Sequence, residues 1–288
     1  MFVGDRTAEP KKLEVVAMRV TCCSSILVVA MLCAGLVHAQ ESTARLLSPE
    51  AMEEFLLNAE LSNVHTIGVG VTDSRRATGS YGRITHDVHI QTVDVIRDGG
   101  IIGGRAELVF RDAYNYNIAA YRLAALLGID NVPMSVFRYF EGRPAAVTWW
   151  VDDVAMSERE RLRQGTLGPH PARTHEQFYT MYVFDELIQN RDRNQGNALW
   201  TSDWKMWLID HTRAFRPDVE LTEPVRLIRI GRDLLENLRR LTPEALEEAI
   251  GDTLTRPQRE NVMARRDLLV EHFDERVARL GEGAVLID

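Results

Sequence analysis

The chain has 288 residues and carries 34 Lys+Arg against 42 Asp+Glu, a formal net charge of -8. That acidic balance argues against nucleic acid as a main partner, because a phosphate backbone needs a basic surface. An apolar fraction of 45% permits a real core, and the length permits one domain of two lobes. Lysine occurs only at Lys11, Lys12 and Lys205, while arginine is plentiful.

The first residues read as a targeting segment. Lys11, Lys12 and Arg19 form a positive region, Ser24 to Val37 is apolar and small, and Val37-His38-Ala39 offers small residues where a signal peptidase reads. The apolar run is shorter than the roughly 20 residues a membrane span needs. We therefore expect a signal peptide over 1–39, cleaved near Ala39, and export to a periplasmic or extracellular space with no stable membrane span in the mature chain. Met18 is a plausible true start. Cys33 follows the large Leu32, which argues against a lipoprotein site. Cys22, Cys23 and Cys33 all lie in this segment, so the mature chain has neither disulfides nor thiolate metal sites.

Residues 40–63 read as a leader segment with a short helix, Pro49 to Ala59. Val64 to Thr72 is strand-like and contains Gly68 and Gly70, and Arg75 to Gly82 reads as a polar turn. From Asp87 to Val95 the pattern alternates, with Val88 and Ile90 on one face and His89 and Gln91 on the other. Asp112 to Leu127 is a helix, capped by Asp112 and closed by Gly128. Val132 to Arg138 and Ala145 to Val151 form a hairpin around Glu141-Gly142-Arg143. Beyond about residue 153 the pattern is helical. Thr174 with Gln177 reads as a capping box opening a helix that runs to Asn190. Ala198 to Trp200 and Lys205 to Ile209 are short strands around Ser202-Asp203. Thr242-Pro243 and Thr255 with Gln258 open the last helices, the second ending near Leu280.

The chemistry lies in Asp192-Arg193-Asn194-Gln195-Gly196-Asn197 and Leu208-Ile209-Asp210. Asp192 and Asn197 stand five apart on a loop between a helix and a strand, and Asp210 ends the next strand. Phosphoryl transfer wants a carboxylate to orient the attacking hydroxyl, plus an amide oxygen and a second carboxylate on Mg²⁺. A tight structural turn or a calcium-loop fragment are alternatives, although a calcium loop wants its Gly one position later and a Glu where Asp203 stands. Clustered acids repel without a cation, so a chain with no use for the set has no reason to keep it together. The histidines His65, His86, His89, His170, His175, His211 and His272 make no zinc spacing. His86 and His89 point to opposite faces of their strand, and His211 reads as a solvent-facing turn residue.

These two motifs resemble the catalytic loop and metal-binding strand of phosphatidylinositol 3/4-kinase-like and HipA-like atypical kinases, with secretory-pathway kinases as more distant relatives. Val88-His89-Ile90-Gln91 sits where kinases carry Val-Ala-Ile-Lys, and Tyr116 to Leu123 resembles the helix that supplies a Glu to that Lys. The likeness spans residues 64–215. It implies an α+β, two-lobed, protein-kinase-like fold, with a strand-rich N-lobe over 64–152 and a helical C-lobe over 153–288. It implies Asp192 as catalytic base, Asn197 and Asp210 as Mg²⁺ ligands, and ATP as the nucleotide. The region from Gly68 to Gly82, with Gly68 and Gly70, would cover the phosphates. Trp149 to Asp153 would be the hinge, with Trp150 and Val151 at the adenine; for Trp149 and Trp150 core packing is the simpler reading.

The pattern also breaks. Gln91 replaces the phosphate-binding Lys and Asn117 replaces its Glu partner, so an ion pair becomes two neutral amides. Arg83, Arg97 or Arg105 could reach in instead, as a planar fork and not a point charge. Asn190-Arg191 replaces the His-Arg often found before the base, Asp210-His211-Thr212 lacks Phe-Gly, and little chain remains for a peptide-binding activation segment. The expectation is an exported Mg²⁺-dependent phosphotransferase acting on an unidentified hydroxyl. The alternative is a pseudokinase, a binding or scaffold module without turnover.

Overall fold

Five antiparallel strands carry the first half of the fold. In this computed structural model, which describes residues 47–68, 74–102 and 105–288, the sheet runs β1-β2-β3-β7-β6. Its members are β1 (Glu60–Thr66), β2 (Arg75–Tyr81), β3 (Ile84–Gln91), β6 (Ser135–Phe140) and β7 (Arg143–Trp149). The expected signal peptide lies outside the described residues, as does Gly70. Residues Arg75 to Tyr81 form strand β2, where a polar turn is expected from the sequence. Ala77 and Gly79 are buried while their neighbours bond outward, and Ala77 pairs with Val88 on β3. Gly79 takes that place because a Cβ there would meet the Phe55 ring at 2.9 Å.

Helix α1 (Pro49–Asn58) packs on this sheet, so the packed structure begins inside the expected leader segment. Phe55 stands edge-on to Trp149, 5.3 Å between ring centroids, and Trp149 stacks on His86 at 3.8 Å. Arg138 donates from β6 to the carbonyls of Leu56 and Ala59, both at 3.0 Å, and so closes the end of α1. Between β3 and the next helix comes an antiparallel hairpin of β4 (Asp94–Ile102) and β5 (Arg105–Ala113). Asp112 therefore lies on a strand. Helix α2 (Asn115–Leu126) starts after Tyr114 with no side-chain cap, in place of the expected Asp112 cap. Gly128, at φ +73°, closes it as expected.

The second half is helical around a small sheet, β10-β9-β8. Strand β8 is Val154–Ser157, β9 is Ala198–Thr201 and β10 is Met206–Leu208. Helix α3 (Glu158–Gln164) opens on a capping box at Ser157 and Glu160. Helix α4 (Pro171–Leu187) begins three residues earlier than expected. Its Thr174 bonds back to the His170 carbonyl, and Gln177 spends its amide on the β9–β10 turn at Trp204 and Met206. The short pair β11 (Ile230–Gly231) and β12 (Leu286–Ile287) ties the tail to helices α5 (Arg232–Arg240), α6 (Pro243–Ile250), α7 (Arg256–Leu280) and α8 (Glu282–Val285). One core joins α2, α4, the small sheet and the tail helices, through Leu123, Phe184, Trp200, Leu208, Leu238 and Phe273. Among the described residues no helix is long and apolar enough to cross a membrane.

The segment after β10 is pinned from below. Glu186 accepts the backbone N–H groups of Thr222 and Glu223 at 2.7 Å each. Arg265, fully buried on α7, donates to the carbonyls of Leu187 (2.7 Å), Arg216 (3.3 Å) and Asp218 (2.6 Å). Burial pulls its pKa down to about 10, with Asp218 and Glu186 opposing the shift. Replacing Arg265 by Leu removes the donor to three carbonyls. Since each buried acceptor left unsatisfied costs roughly 1–3 kcal/mol, urea unfolding of R265L should show a loss of at least about 3 kcal/mol. A loss below about 1 kcal/mol would mean that water replaces the guanidinium.

Candidate functional site

The loop between α4 and β9 is built from its own polar side chains. Asn190 donates to Asp185 at 3.0 Å and accepts from the Asp192 N–H at 3.2 Å. Asn194 accepts from the Gly196 N–H at 2.8 Å, an Asx-type turn that aims the chain toward Asn197. The Ile209 N–H donates to the Asn197 carbonyl at 3.0 Å, extending the β9–β10 pairing to the base of both ligand candidates. Arg193 fastens the assembly. Its guanidinium meets the Asp185 carboxylate at 3.0 Å, the carbonyls of Asn197 and Ile209 at 2.7 Å each, and His211 Nε2 at 2.9 Å.

Asp210 adopts φ +56°, a left-handed conformation that Asp tolerates better than most residues. Thr212 Oγ1 donates to its Oδ1 at 2.9 Å. The result brings Asn197 Nδ2 to 3.5 Å from Asp210 Oδ2. The same Nδ2 donates to the Asp192 carbonyl at 3.3 Å; a half-turn of the amide would give up that bond and offer two hard oxygens to one cation. Such a pair, completed by water and phosphate oxygens, fits Mg²⁺, which takes few protein ligands. Among the described residues no group of three His, Cys, Asp or Glu side chains could hold a metal ion.

Asp192 stands beside this pair. Arg213 Nη1 donates to its Oδ2 at 3.0 Å, while Oδ1 makes no hydrogen bond among the described residues. Burial raises the Asp192 pKa above its ordinary value; Arg213 opposes the shift, and the charges of Asp210 and Asp112 add to it. Arg213 Nε also donates to Asp112 Oδ2 at 3.0 Å.

A cavity of about 410 Å³ opens above these groups. Leu199 and Leu208 give it apolar wall, Ile67 approaches from the end of β1, and Asn117, Trp150, Val151, Asn197 and Asp210 all line it. Trp149 and Trp150 both border this space; Arg76 lies over the Trp150 ring at 4.2 Å, whereas the Trp149 ring packs on Phe55 and His86, so the core-packing reading holds for Trp149 alone. Gly68 sits just beyond β1 at φ +62° with open space where a Cβ would be. Gly79 and Gly82 do not share that place: one is packed on Phe55 and the other turns β2 into β3.

Gln91 is buried at the end of β3, where its amide donates to Ser74 at 3.0 Å and accepts from the N–H groups of Thr92 and Val93. His89, two residues earlier on the same face, is the β3 side chain that lines the cavity. Burial lowers its pKa, and the charge of Asp210 works against that. Asn117 Oδ1 accepts from the His211 N–H at 2.8 Å, which ties α2 to the strand end that carries Asp210. His211 is 2% exposed, which corrects the solvent-facing reading. Burial and the neighbouring Arg193 charge push its pKa well below the usual value, so it is a neutral acceptor for Arg193.

The sequence reading missed Arg193, Arg213 and Asp112 as partners of the site. Arg193 follows Asp192 directly and Arg213 follows Asp210 by three, so proximity in the chain was the available signal. Arg83 is exposed in the β2–β3 turn, Arg97 is exposed on β4, and the Arg105 side chain lies outside the described ones.

No family model matches the chain, and no curated protein matches it in sequence. Solved structures do match in shape. Hydra Fam20, solved with sugar, superposes with a TM-score of 0.60 at 15% identity, covering 83% of this chain and 91% of that one. The Helicobacter pylori proinflammatory kinase CtkA gives 0.49 at 12% identity, over 78% of this chain and 98% of its own. HipA of the Shewanella oneidensis MR-1 toxin–antitoxin system, solved with HipB and operator DNA, gives 0.36 at 12% identity, over 65% and 64%. At these identities the likeness speaks to the fold alone: an α+β, two-lobed, protein-kinase-like fold with a strand-rich first half and a helical second half.

Proposed function

We propose that this chain is an exported phosphotransferase that moves the terminal phosphoryl group of ATP, with Mg²⁺, to a hydroxyl acceptor. The observation that carries the reading is the 3.5 Å approach of Asn197 and Asp210 at the floor of the cavity, with Asp192 alongside. Asn197 and Asp210 would hold the cation, which when bound supplies charge neutralisation for the phosphates. Asp192 would orient the acceptor hydroxyl through its unengaged Oδ1 and take its proton. The adenine would lie between the apolar wall of Leu199 and Leu208 and the hinge at Trp150 and Val151, with Gly68 and Gly70 over the phosphates. The strand-rich lobe would span 64–152 and the helical lobe 153–288, behind a cleaved signal peptide over 1–39. The finer likeness to phosphatidylinositol 3/4-kinase-like and HipA-like enzymes rests on the spacing of Asp192, Asn197 and Asp210.

One set of observations favours a second reading, a nucleotide-binding module without turnover. No Lys or Arg is among the described residues lining the cavity. Gln91 and Asn117, where a Lys–Glu pair would stand, are neutral amides engaged with Ser74, backbone N–H groups and His211.

Thermal unfolding with ATP and Mg²⁺ tests the shared part of both readings. A ligand at 100 times its Kd stabilises the folded state by about 2.7 kcal/mol, so the mature protein should melt several degrees higher and D210A should lose the shift. The absence of a shift in the unaltered protein would remove both readings. The two separate on D192N, an isosteric change that leaves the cation pair intact. For the enzyme, D192N keeps the ATP-dependent shift and loses transfer by about 100-fold or more. Unaltered protein that binds ATP with Mg²⁺ and transfers phosphate to no acceptor, water included, supports the second reading.

A further inference from the structure

Three acids gather around one guanidinium beside the cavity, and no Lys or Arg is among the described residues that line it. Asp112, Asp192 and Asp210 all act on the same guanidinium, that of Arg213. Arg213 donates Nε to Asp112 and Nη1 to Asp192, each at 3.0 Å. The two acids differ in kind. Asp112 comes from β5, its side chain is 4% exposed, and its Oδ1 is buried without a hydrogen-bond partner among the described residues. Asp192 is the half-open acid at the cleft, with a side chain 35% exposed. Arg213 therefore has a fixed mount on one side and an exchangeable partner on the other. A residue needed only to hold the loop would be redundant, because Arg193 already holds it through Asp185 and two carbonyls.

We propose that Arg213, mounted on Asp112, is the catalytic cation that contacts the phosphoryl group during transfer, in the role a strand lysine would otherwise fill. The inference rests on the phosphotransferase reading and names the positive group that reading lacks. In the step itself, the acceptor oxygen forms a bond to the terminal phosphorus. The bond from that phosphorus to the bridging oxygen breaks, and its electron pair leaves with the diphosphate. The hydroxyl proton passes to Asp192. Negative charge grows on the bridging and peripheral oxygens, and a planar guanidinium offers paired donors to such oxygens. Gln91, which is uncharged and already bonded to Ser74 and the β3 end, cannot supply this charge. His89 is held toward the neutral form by burial.

The test compares ATP with ADP, each with Mg²⁺, by calorimetry on the mature chain and on R213Q, R213K and D112N/R213Q. The double variant removes the buried acid that R213Q would strand, and so keeps a folded protein available. Contact with the terminal phosphate predicts that R213Q and the double variant weaken ATP about tenfold while ADP stays within about twofold, with R213K between. Transfer in R213Q should fall about 1000-fold, the scale of an arginine acting on a transferring phosphoryl group. Equal changes for ATP and ADP, or none for either, would reduce Arg213 to an orienting partner of Asp192 and overturn the inference. So would an R213Q protein that transfers phosphate at the unaltered rate. The affinity comparison needs no known acceptor. Unaltered protein that binds neither nucleotide would instead bring down the phosphotransferase reading, and this inference with it.

Discussion

One buried guanidinium sets the geometry of the whole site. Arg193 reaches a carboxylate on α4, the carbonyl of Asn197, the carbonyl of Ile209 and the ring of His211. Those four groups come from the helix before the loop, the loop's end and the strand after it. Its side chain is 8% exposed and that of Asp185 is 11% exposed, so both charges are largely removed from water. A buried pair is tolerated when its remaining donors and acceptors are satisfied, and breaking one by removing a single partner is costly. The site thus has little freedom: Asn197 and Asp210 can approach because the backbone behind each hangs from the same group.

Electrostatics then decides what such a site can do. Burial opposes the ionised form of Asp192, and the charges of Asp210 and Asp112 add to that effect. Arg213 offsets part of that charge from the side. A divalent cation at Asn197 and Asp210 would offset the rest and invert the local balance. The segment after Asp210 adds rigidity where protein-phosphorylating enzymes often carry a mobile loop. Gln189, Glu186 and Arg265 hold its backbone at Asp218, Glu220, Thr222 and Glu223.

Much of this could be read from the chain. The approach of Asn197 to Asp210 was legible because loop and hairpin spacing are local, and local spacing survives in sequence. The hairpin around Glu141-Gly142 and the helix start at Thr255 with Gln258 were legible for the same reason, whereas the capping box expected at Thr174 and Gln177 does not form, because both side chains bond elsewhere. Strand β2 was not: Arg75 to Tyr81 is polar on the outward face and buries only small residues, so its alternation reads as a turn. The placement of Asp112 failed because a good helix cap and a buried strand acid look alike until the partner Arg213 is known. The roles of Arg193 and Arg213 depend on partners 4 to 101 residues away, which no periodicity encodes. His211 looked exposed beside an acid, yet it is buried because Asn117 and Arg193 satisfy its backbone and its ring.

The central claim is that Asn197 and Asp210 share a cation in a nucleotide cleft. Crystals of the mature chain grown with Mn²⁺ and a non-hydrolysable ATP analogue test it most directly, because Mn²⁺ scatters anomalously. A shared cation gives one anomalous peak touching both the Asn197 amide oxygen and an Asp210 carboxylate oxygen, at about 2.1 Å as for Mg²⁺, and touching a phosphate oxygen as well. A nucleotide seated in the cavity with its metal bound by neither residue would contradict it.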